Sequence, residues 1–138
     1  LRYSLTSLLE KTLSKRAYLK SGAYLVIEPT EAMTVIDVNS GKSIKGKNAE
    51  EQFLKINIEA AKEIARQLRL RNISGIVMID FINMKEEGHN QELMKRLAEY
   101  VRTDPVRTTV VDMTRLGLVE LTRQKGKRAL HEVFSEIK

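Results

Sequence analysis

The first half of the chain alternates between helix-like and strand-like spacing of apolar residues. Apolar positions in residues 5–19 recur at helical spacing and predict a first helix, which ends at a Ser-Gly turn signal. Residues 23–27 and 33–38 are short apolar stretches on either side of a proline-containing turn, so they predict an antiparallel hairpin. Residues 39–47 contain two glycines and three lysines and predict a loop.

A long amphipathic helix is predicted after this loop. Asn48 is a candidate N-cap residue, and Glu51 three residues later completes a predicted capping box. The helix is expected to end near Asn72. At 100° per residue, one face carries the residues expected to be buried, namely Phe53, Asn57, Ala60, Ala61, Ile64 and Leu68.

The second half of the chain predicts two further strands and two further helices. Residues 73–81 form a nearly continuous apolar run, typical of a buried strand. Residues 89–102 predict an amphipathic helix, residues 108–111 a strand and residues 116–125 a short helix. Strands separated by long helices favour parallel neighbours with right-handed crossovers. The predicted fold is therefore α/β, with a mixed sheet that has an N-terminal antiparallel hairpin and parallel strands joined by helices.

Net charge, the length of apolar runs and cysteine content indicate which partners and which cellular compartment suit the chain. The 138 residues include 24 Lys and Arg against 18 Asp and Glu, giving a net charge of +6. This excess favours anionic partners such as nucleic acid or acidic lipid, although an ordinary basic surface has the same charge. No apolar run approaches the roughly 18 residues that span a bilayer. Cysteine is absent, which excludes disulfides and fits a cytoplasmic protein.

Aromatic residues are few, at 5% of the chain, and tryptophan is absent. The sequence therefore shows no evident platform on which the bases of a single strand would stack. Tyr24 and Phe53 are predicted to lie in the hydrophobic core.

Two aspartates occur in near-identical surroundings. Asp37 and Asp80 each follow isoleucine inside an apolar, strand-like run. An unpaired ionised carboxylate is costly there, and on neighbouring strands the two carboxylates would lie about 5 Å apart and repel. A divalent cation such as Mg²⁺ reverses that repulsion. The structural alternative is that each aspartate caps a turn or helix at the end of its strand.

Four motifs carry a resemblance to a known family, and they occur in order over most of residues 21–125. The matching residues are 21–27 with 30–41, 57–71, 75–82 and 114–124. They resemble the corresponding motifs of the ribonuclease E and ribonuclease G family. The resemblance departs at Asn83, where members of that family often have an acidic residue.

The resemblance implies a fold, a reaction and a set of site residues. The region would be the subdomain likened to deoxyribonuclease I, with Asp37 and Asp80 as ligands of Mg²⁺ and with Mn²⁺ as a substitute ion. Asn39 would match the asparagine that orients attack on the scissile phosphate. The implied reaction is hydrolysis of single-stranded RNA to leave 5′-phosphate and 3′-hydroxyl ends, in RNA processing and decay. The family's oligonucleotide-binding barrel precedes this region, so the other domains of the parent enzyme are expected partners.

Basic residues near the C-terminus are candidates for contact with RNA phosphates. Arg115, Arg123 and Lys125 are predicted to bind RNA, and the alternative is a solvated basic surface. Three segments are expected. Residues 1–20 would form an N-terminal helix leading from a preceding domain, residues 21–125 the catalytic subdomain, and residues 126–138 a basic C-terminal segment. Because the chain begins with Leu1, we expect a piece of a longer protein.

Three functional hypotheses follow from these features. The first is a metal-dependent endoribonuclease domain, which the aspartate pair with Asn39 favours. The second is an RNA-binding module whose acidic pair has no metal. The third is a structural or oligomerisation fragment, and assembly into a homo-oligomer stays open under each of them.

Overall fold

The chain folds into a mixed six-stranded β-sheet with two helices packed against one of its faces. A computed structural model describes residues 14–125. The elements are β1 (Arg16–Tyr18), β2 (Tyr24–Pro29), β3 (Thr34–Asn39), α1 (Ala49–Leu70), β4 (Gly75–Asp80), α2 (Glu87–Arg102), β5 (Thr108–Met113) and β6 (Leu118–Arg123). Neither α1 nor α2 is long and apolar enough to cross a membrane.

The strand order β1-β2-β3-β4-β6-β5 confirms the predicted mixed sheet. Strands β2 and β3 form the expected antiparallel hairpin. Strand β4 pairs in parallel with β3, and the connection between them contains α1. Strand β6 lies antiparallel between β4 and β5. The centre of the sheet is therefore the parallel pair β3–β4, with one antiparallel partner on each side.

Alternation of side chains gives the sheet two different faces. Leu25, Ile36 and Ile79 are almost fully buried and join one core cluster with apolar residues of α1 and α2. Their immediate neighbours in each strand project from the opposite face, because successive strand residues alternate in direction. We call this second surface the open face. Among its residues are Tyr24, Val26, Val35, Asp37, Ile76, Met78, Asp80 and Glu120.

The predicted N-terminal helix is wrong where the structure describes it. Residues 16–18 form β1, which pairs with β2 as an antiparallel edge strand, and residues 5–13 lie outside the described part. The turn between these strands closes at Gly22, whose φ of +95° suits glycine. The predicted boundary at residue 20 lies in the turn between these two paired strands. A strand of three residues has too few positions to show a period of two, so the helical spacing of the preceding residues determined the prediction.

The short helix predicted for residues 116–125 is also wrong. These residues contain β6, in which buried Val119, Leu121 and Arg123 alternate with less buried neighbours. That period of two is the signature of a strand. Gly117, at a φ of +85°, lies in the turn that joins β5 to β6. The predicted basic segment at residues 126–138 lies outside the described residues.

Helix α1 is confirmed, but its predicted capping box is not. The helix begins directly after Asn48, whose side chain makes no capping hydrogen bond. Asn48 has φ −98° and ψ 11°, whereas capping asparagines usually adopt extended angles that aim the side chain at the first turn. The helix ends at Leu70, close to the predicted end. Every residue predicted on its buried face is buried except Phe53, which packs partly exposed against the core.

A buried ion pair between Arg123 and Asp104 connects the end of β6 to the segment that follows α2. Arg123 Nε donates to Asp104 Oδ2 at 2.9 Å, and Nη2 donates to Oδ1 at 3.2 Å. Arg123 Nη1 also donates to the carbonyl of Ile73 at 2.9 Å. The two side chains are only 3% and 1% exposed. Strand β6, the segment after α2 and the segment before β4 are thus held together by one guanidinium group.

Electrostatics at Asp104 are set by two opposing effects. Burial tends to raise the pKa of Asp104, but hydrogen bonds from Arg123 and from the Val106 amide outweigh burial and lower that pKa below its ordinary value. The ionised carboxylate therefore stabilises the fold at neutral pH.

Removing one partner of this pair should be costly. We expect Asp104→Ala to lower the free energy of unfolding by about 3 to 5 kcal/mol, because Arg123 would be left buried without its counter-ion. Urea denaturation at pH 7 measures this change. The matched control is Glu92→Ala, which removes the exposed pair with Arg96 and should cost no more than about 0.5 kcal/mol. Equal losses in the two variants would contradict the assignment.

The same pair predicts a dependence on pH. Because the folded pKa of Asp104 is depressed, its contribution is present above the ordinary aspartate pKa and is lost as pH falls through the folded value. The stability difference between the parent and Asp104→Asn should therefore narrow below about pH 4. Thermal unfolding from pH 7 to pH 3 tests this, and a difference that stays constant would argue against it.

Candidate functional site

Asp37 and Asp80 are direct register partners at the centre of the sheet. Strand β3 pairs in parallel with β4 so that Asp37 lies opposite Asp80. Adjacent strands are about 4.8 Å apart, and partners in register project from the same face. Both aspartates therefore lie side by side on the open face, as expected if their strands were neighbours. The alternative that each merely caps its own strand does not account for this pairing.

The two carboxylates influence each other electrostatically. Burial raises the pKa of Asp80, and the negative charge of Asp37 raises it further. Such mutual repulsion is the feature that a bound cation relieves.

Asn39 completes the cluster that the sequence predicted. Its Nδ2 donates to Asp37 Oδ2 at 3.2 Å, which fixes the orientation of that carboxylate. Asn39 is two residues after Asp37 in β3, so both side chains project from the open face. The structure thus brings together all three predicted catalytic residues, Asp37, Asn39 and Asp80.

The loop after Asn39 is held by a close backbone approach. Gly41 adopts a φ of +77°, and a Cβ at this position would overlap the carbonyl oxygen of Gly22 in the turn before β2. Both features require glycine at Gly41. This contact anchors the chain as it leaves β3 and so supports the position of Asn39.

The donor set fits magnesium better than zinc. Within residues 14–125, no group of three or more His, Cys, Asp and Glu side chains is placed to hold a metal. Mg²⁺ is commonly bound through one or two carboxylates while it keeps several waters and takes further oxygens from substrate phosphates. The pair Asp37 and Asp80 meets that requirement, with the oxygen of Asn39 available nearby.

The predicted RNA-binding residues separate into different environments. Arg115 is exposed in the β5–β6 turn. Leu118 begins β6 opposite Asp80, so this turn lies at the aspartate end of the sheet. The prediction that Arg123 binds RNA is wrong, because its side chain is buried in the ion pair with Asp104. Lys125 is exposed but follows Arg123, roughly 17 Å or more along β6 from the aspartate end.

Comparison with known proteins places the chain in a family. Residues 1–126 match the model of the ribonuclease E/G family. The chain belongs to the ribonuclease E/G family. It is 42% identical over 134 residues to ribonuclease G of Haemophilus influenzae, covering 97% of this chain and 27% of that protein. It is 44% identical over 134 residues to ribonuclease E of Synechocystis sp., covering 97% of this chain and 20% of that protein. The chain thus spans between 20% and 27% of the length of these relatives.

One residue that supports the site in this ribonuclease E/G chain was not recognised from sequence. Asn57 of α1 is fully buried, and its Nδ2 donates to the carbonyl of Ile82 at 2.9 Å. Its Oδ1 accepts from the Ile82 amide at 3.0 Å. The side chain thereby satisfies both backbone groups of a residue two positions after Asp80. An asparagine on an otherwise apolar helix face was the available signal, because a buried amide needs hydrogen-bond partners.

Asn57 should therefore stabilise the segment after β4. We expect Asn57→Ala to reduce the free energy of unfolding by about 2 to 4 kcal/mol, because both backbone groups of the half-buried Ile82 lose their partner. Hydrogen exchange of the Ile82 amide should accelerate at the same time. Urea denaturation and exchange followed by mass spectrometry measure the two effects.

A control on the same helix separates this role from general burial of a polar side chain. Gln67 is also buried but bonds only to side chains, those of Glu63 and Arg71. Gln67→Leu should leave exchange at Ile82 unchanged. Faster exchange in both variants would show that Asn57 has no specific role there.

Proposed function

We propose that this chain is the metal-binding part of the catalytic core of a magnesium-dependent endoribonuclease that hydrolyses single-stranded RNA. The observation that carries the proposal is the register pairing of Asp37 with Asp80 on the open face. Family membership supports it, since relatives of this chain are named ribonuclease G and ribonuclease E. The cleavage would leave 5′-phosphate and 3′-hydroxyl ends and serve RNA processing and decay in the cytoplasm.

Each residue would have a distinct role in this reaction. Asp37 and Asp80 would hold Mg²⁺, with Mn²⁺ as a substitute, and the bound ion would supply an activated water and neutralise charge on the scissile phosphate. Asn39 would keep Asp37 in the orientation needed for ligation, as the hydrogen bond between them indicates. Arg115 would contact phosphate from the turn at the same end of the sheet.

The proposed activity is that of the whole parent protein rather than of this segment by itself. The chain corresponds to at most 27% of the relatives described above. The remaining domains of the parent enzyme are therefore proposed partners, together with single-stranded RNA and further copies of the chain in a homo-oligomer.

A magnesium titration on the full-length protein tests the metal site. Saturable stabilisation by Mg²⁺, followed by calorimetry and thermal shift, should vanish in the double variant Asp37→Asn/Asp80→Asn. RNA cleavage should fall by more than about 100-fold, since even residues that only orient metal ligands contribute 10- to 100-fold.

The matched control is Glu120→Gln, which removes a carboxylate from the same face. Glu120 lies opposite Met78 in β4, two positions from the aspartate pair. Its loss should leave magnesium binding and cleavage close to those of the parent. Cleavage that persists in the double aspartate variant would overturn the proposed function.

A further inference from the structure

A cluster of two tyrosines and an arginine extends the open face from the aspartates towards the edge of the sheet. In the β2–β3 register, Tyr24 lies opposite Asn39. In the β1–β2 register, Tyr18 lies opposite Tyr24. The core prediction for Tyr24 is therefore wrong, because its neighbour Leu25 takes the buried position. Residues Asn39, Tyr24 and Tyr18 form one cross-strand row on the open face.

The side chains of this cluster are in contact with one another. The Tyr18 and Tyr24 ring centroids are 5.6 Å apart, with their planes inclined at 43°. The guanidinium carbon of Arg16 lies 4.7 Å from the centre of the Tyr24 ring. Arg16 Nη1 is also 3.4 Å from the hydroxyl of Tyr18, to which it donates. The guanidinium group thus lies over the ring of Tyr24 and is tied to the hydroxyl of Tyr18.

Tyr18 and Arg16 are exposed and Tyr24 is half-buried, and the cluster lies close to the proposed reaction centre. Tyr18 is 67% exposed. An aromatic ring usually stabilises a fold or an interface by being buried, so this exposure leaves the ring available to a partner. With strands about 4.8 Å apart, Tyr24 is one strand and Tyr18 two strands from Asn39, or about 5 and 10 Å. That span corresponds to one or two nucleotides of a strand whose scissile phosphate lies at the aspartate pair.

We propose that Tyr18, Tyr24 and Arg16 form a base-stacking subsite for the nucleotides on one side of the scissile phosphate. This inference rests on the proposed function, because the occupant it names is the RNA substrate. Exposed aromatic rings stack on any nucleobase, and a nearby arginine adds attraction to phosphate. The subsite would therefore bind single-stranded RNA with little preference for base identity.

Chemistry favours RNA over a protein surface as the occupant of this cluster. Arg16 places positive charge at the rings, which suits a polyanion. The exposed apolar residues Val35 and Ile76 are outside this row, on β3 and β4, so they provide a comparison surface on the same face. A protein that covered the open face would depend on these residues as well as on Tyr18.

The test is a binding measurement on the full-length protein with a short single-stranded RNA that carries 2-aminopurine at successive positions. Binding is measured in EDTA, where a magnesium-dependent enzyme does not cleave, so the result does not depend on the proposed catalysis. Tyr18→Ala should weaken binding between about 5- and 100-fold, as expected for the loss of one stacked base. It should also relieve 2-aminopurine quenching at one position.

Further variants separate stacking from a structural role. Tyr18→Phe should bind like the parent, because stacking needs the ring and not the hydroxyl. An abasic nucleotide at the quenched position should weaken binding in the parent but cause no further loss in Tyr18→Ala. Arg16→Ala should lower the slope of log K against log salt by about one, as expected for one phosphate contact.

Val35→Ala is the control on the comparison surface and should bind RNA like the parent. Unchanged RNA affinity and quenching in Tyr18→Ala would overturn the subsite. Equal losses of RNA affinity in Tyr18→Ala and Val35→Ala would also overturn it, because they would show a general effect on the open face rather than stacking on Tyr18. If the parent protein showed no magnesium-dependent cleavage but still bound RNA in a Tyr18-dependent way, the result would count against the proposed function alone.

Discussion

The pairing register between β3 and β4 is the constraint on which the site depends. Ile36 and Ile79 are register partners, and both are completely buried in the core. Because side chains alternate along a strand, a slip of one residue would exchange the faces of one strand relative to the other. Its isoleucine would then face solvent while its aspartate entered the core. The hydrophobic cost of that exchange, together with the desolvation of a carboxylate, keeps Asp37 opposite Asp80.

This register holds the carboxylates of Asp37 and Asp80 side by side on adjacent strands. At a separation of about 5 Å and an effective dielectric constant near 20, two carboxylates repel by about 3 kcal/mol. Burial is the larger cause of the raised pKa of Asp80, and repulsion from Asp37 adds to it. The Asn57 side chain, which bonds both backbone groups of Ile82, holds the segment that follows Asp80. Under the proposed function, this arrangement would be preorganised for a cation, since the repulsion is already present before the ion binds.

Sequence reasoning recovered those parts of the structure whose signal is both long and periodic. The helix that became α1 and the hairpin β2–β3 follow directly from apolar spacing, and the repeated Ile-Asp pattern located the acidic pair. Strand β1 was missed because a three-residue edge strand carries little pattern. Strand β6 has six residues, like β2 and β3, and was missed because tertiary pairing, and not local preference, decides such a segment. Arg123 was misassigned for a related reason. A basic residue in a basic stretch gives no sign of a distant aspartate that buries it.

The tyrosine cluster shows a different limit of sequence reasoning. Tyr18 and Tyr24 are six positions apart, and the low aromatic content argued against a stacking surface. Only the antiparallel pairing of β1 with β2 brings the two rings together beside Arg16. Base stacking depends on neighbouring rings on one face, so under the proposed subsite two tyrosines in the correct register would suffice despite the low aromatic content.

A metal held by only two carboxylates has consequences for how substrate and ion would bind. With most of its coordination sphere left to water, Mg²⁺ would gain ligands when RNA phosphate oxygens replace some of those waters. Metal and RNA would then strengthen each other's binding, and by thermodynamic linkage the effect must be equal in both directions. Stacking at Tyr18 and Tyr24 would contribute to that same equilibrium from a position that touches no metal ligand. Affinity for the strand would thus come from the rings and Arg16, while the aspartate pair would determine where along the strand the phosphate is attacked.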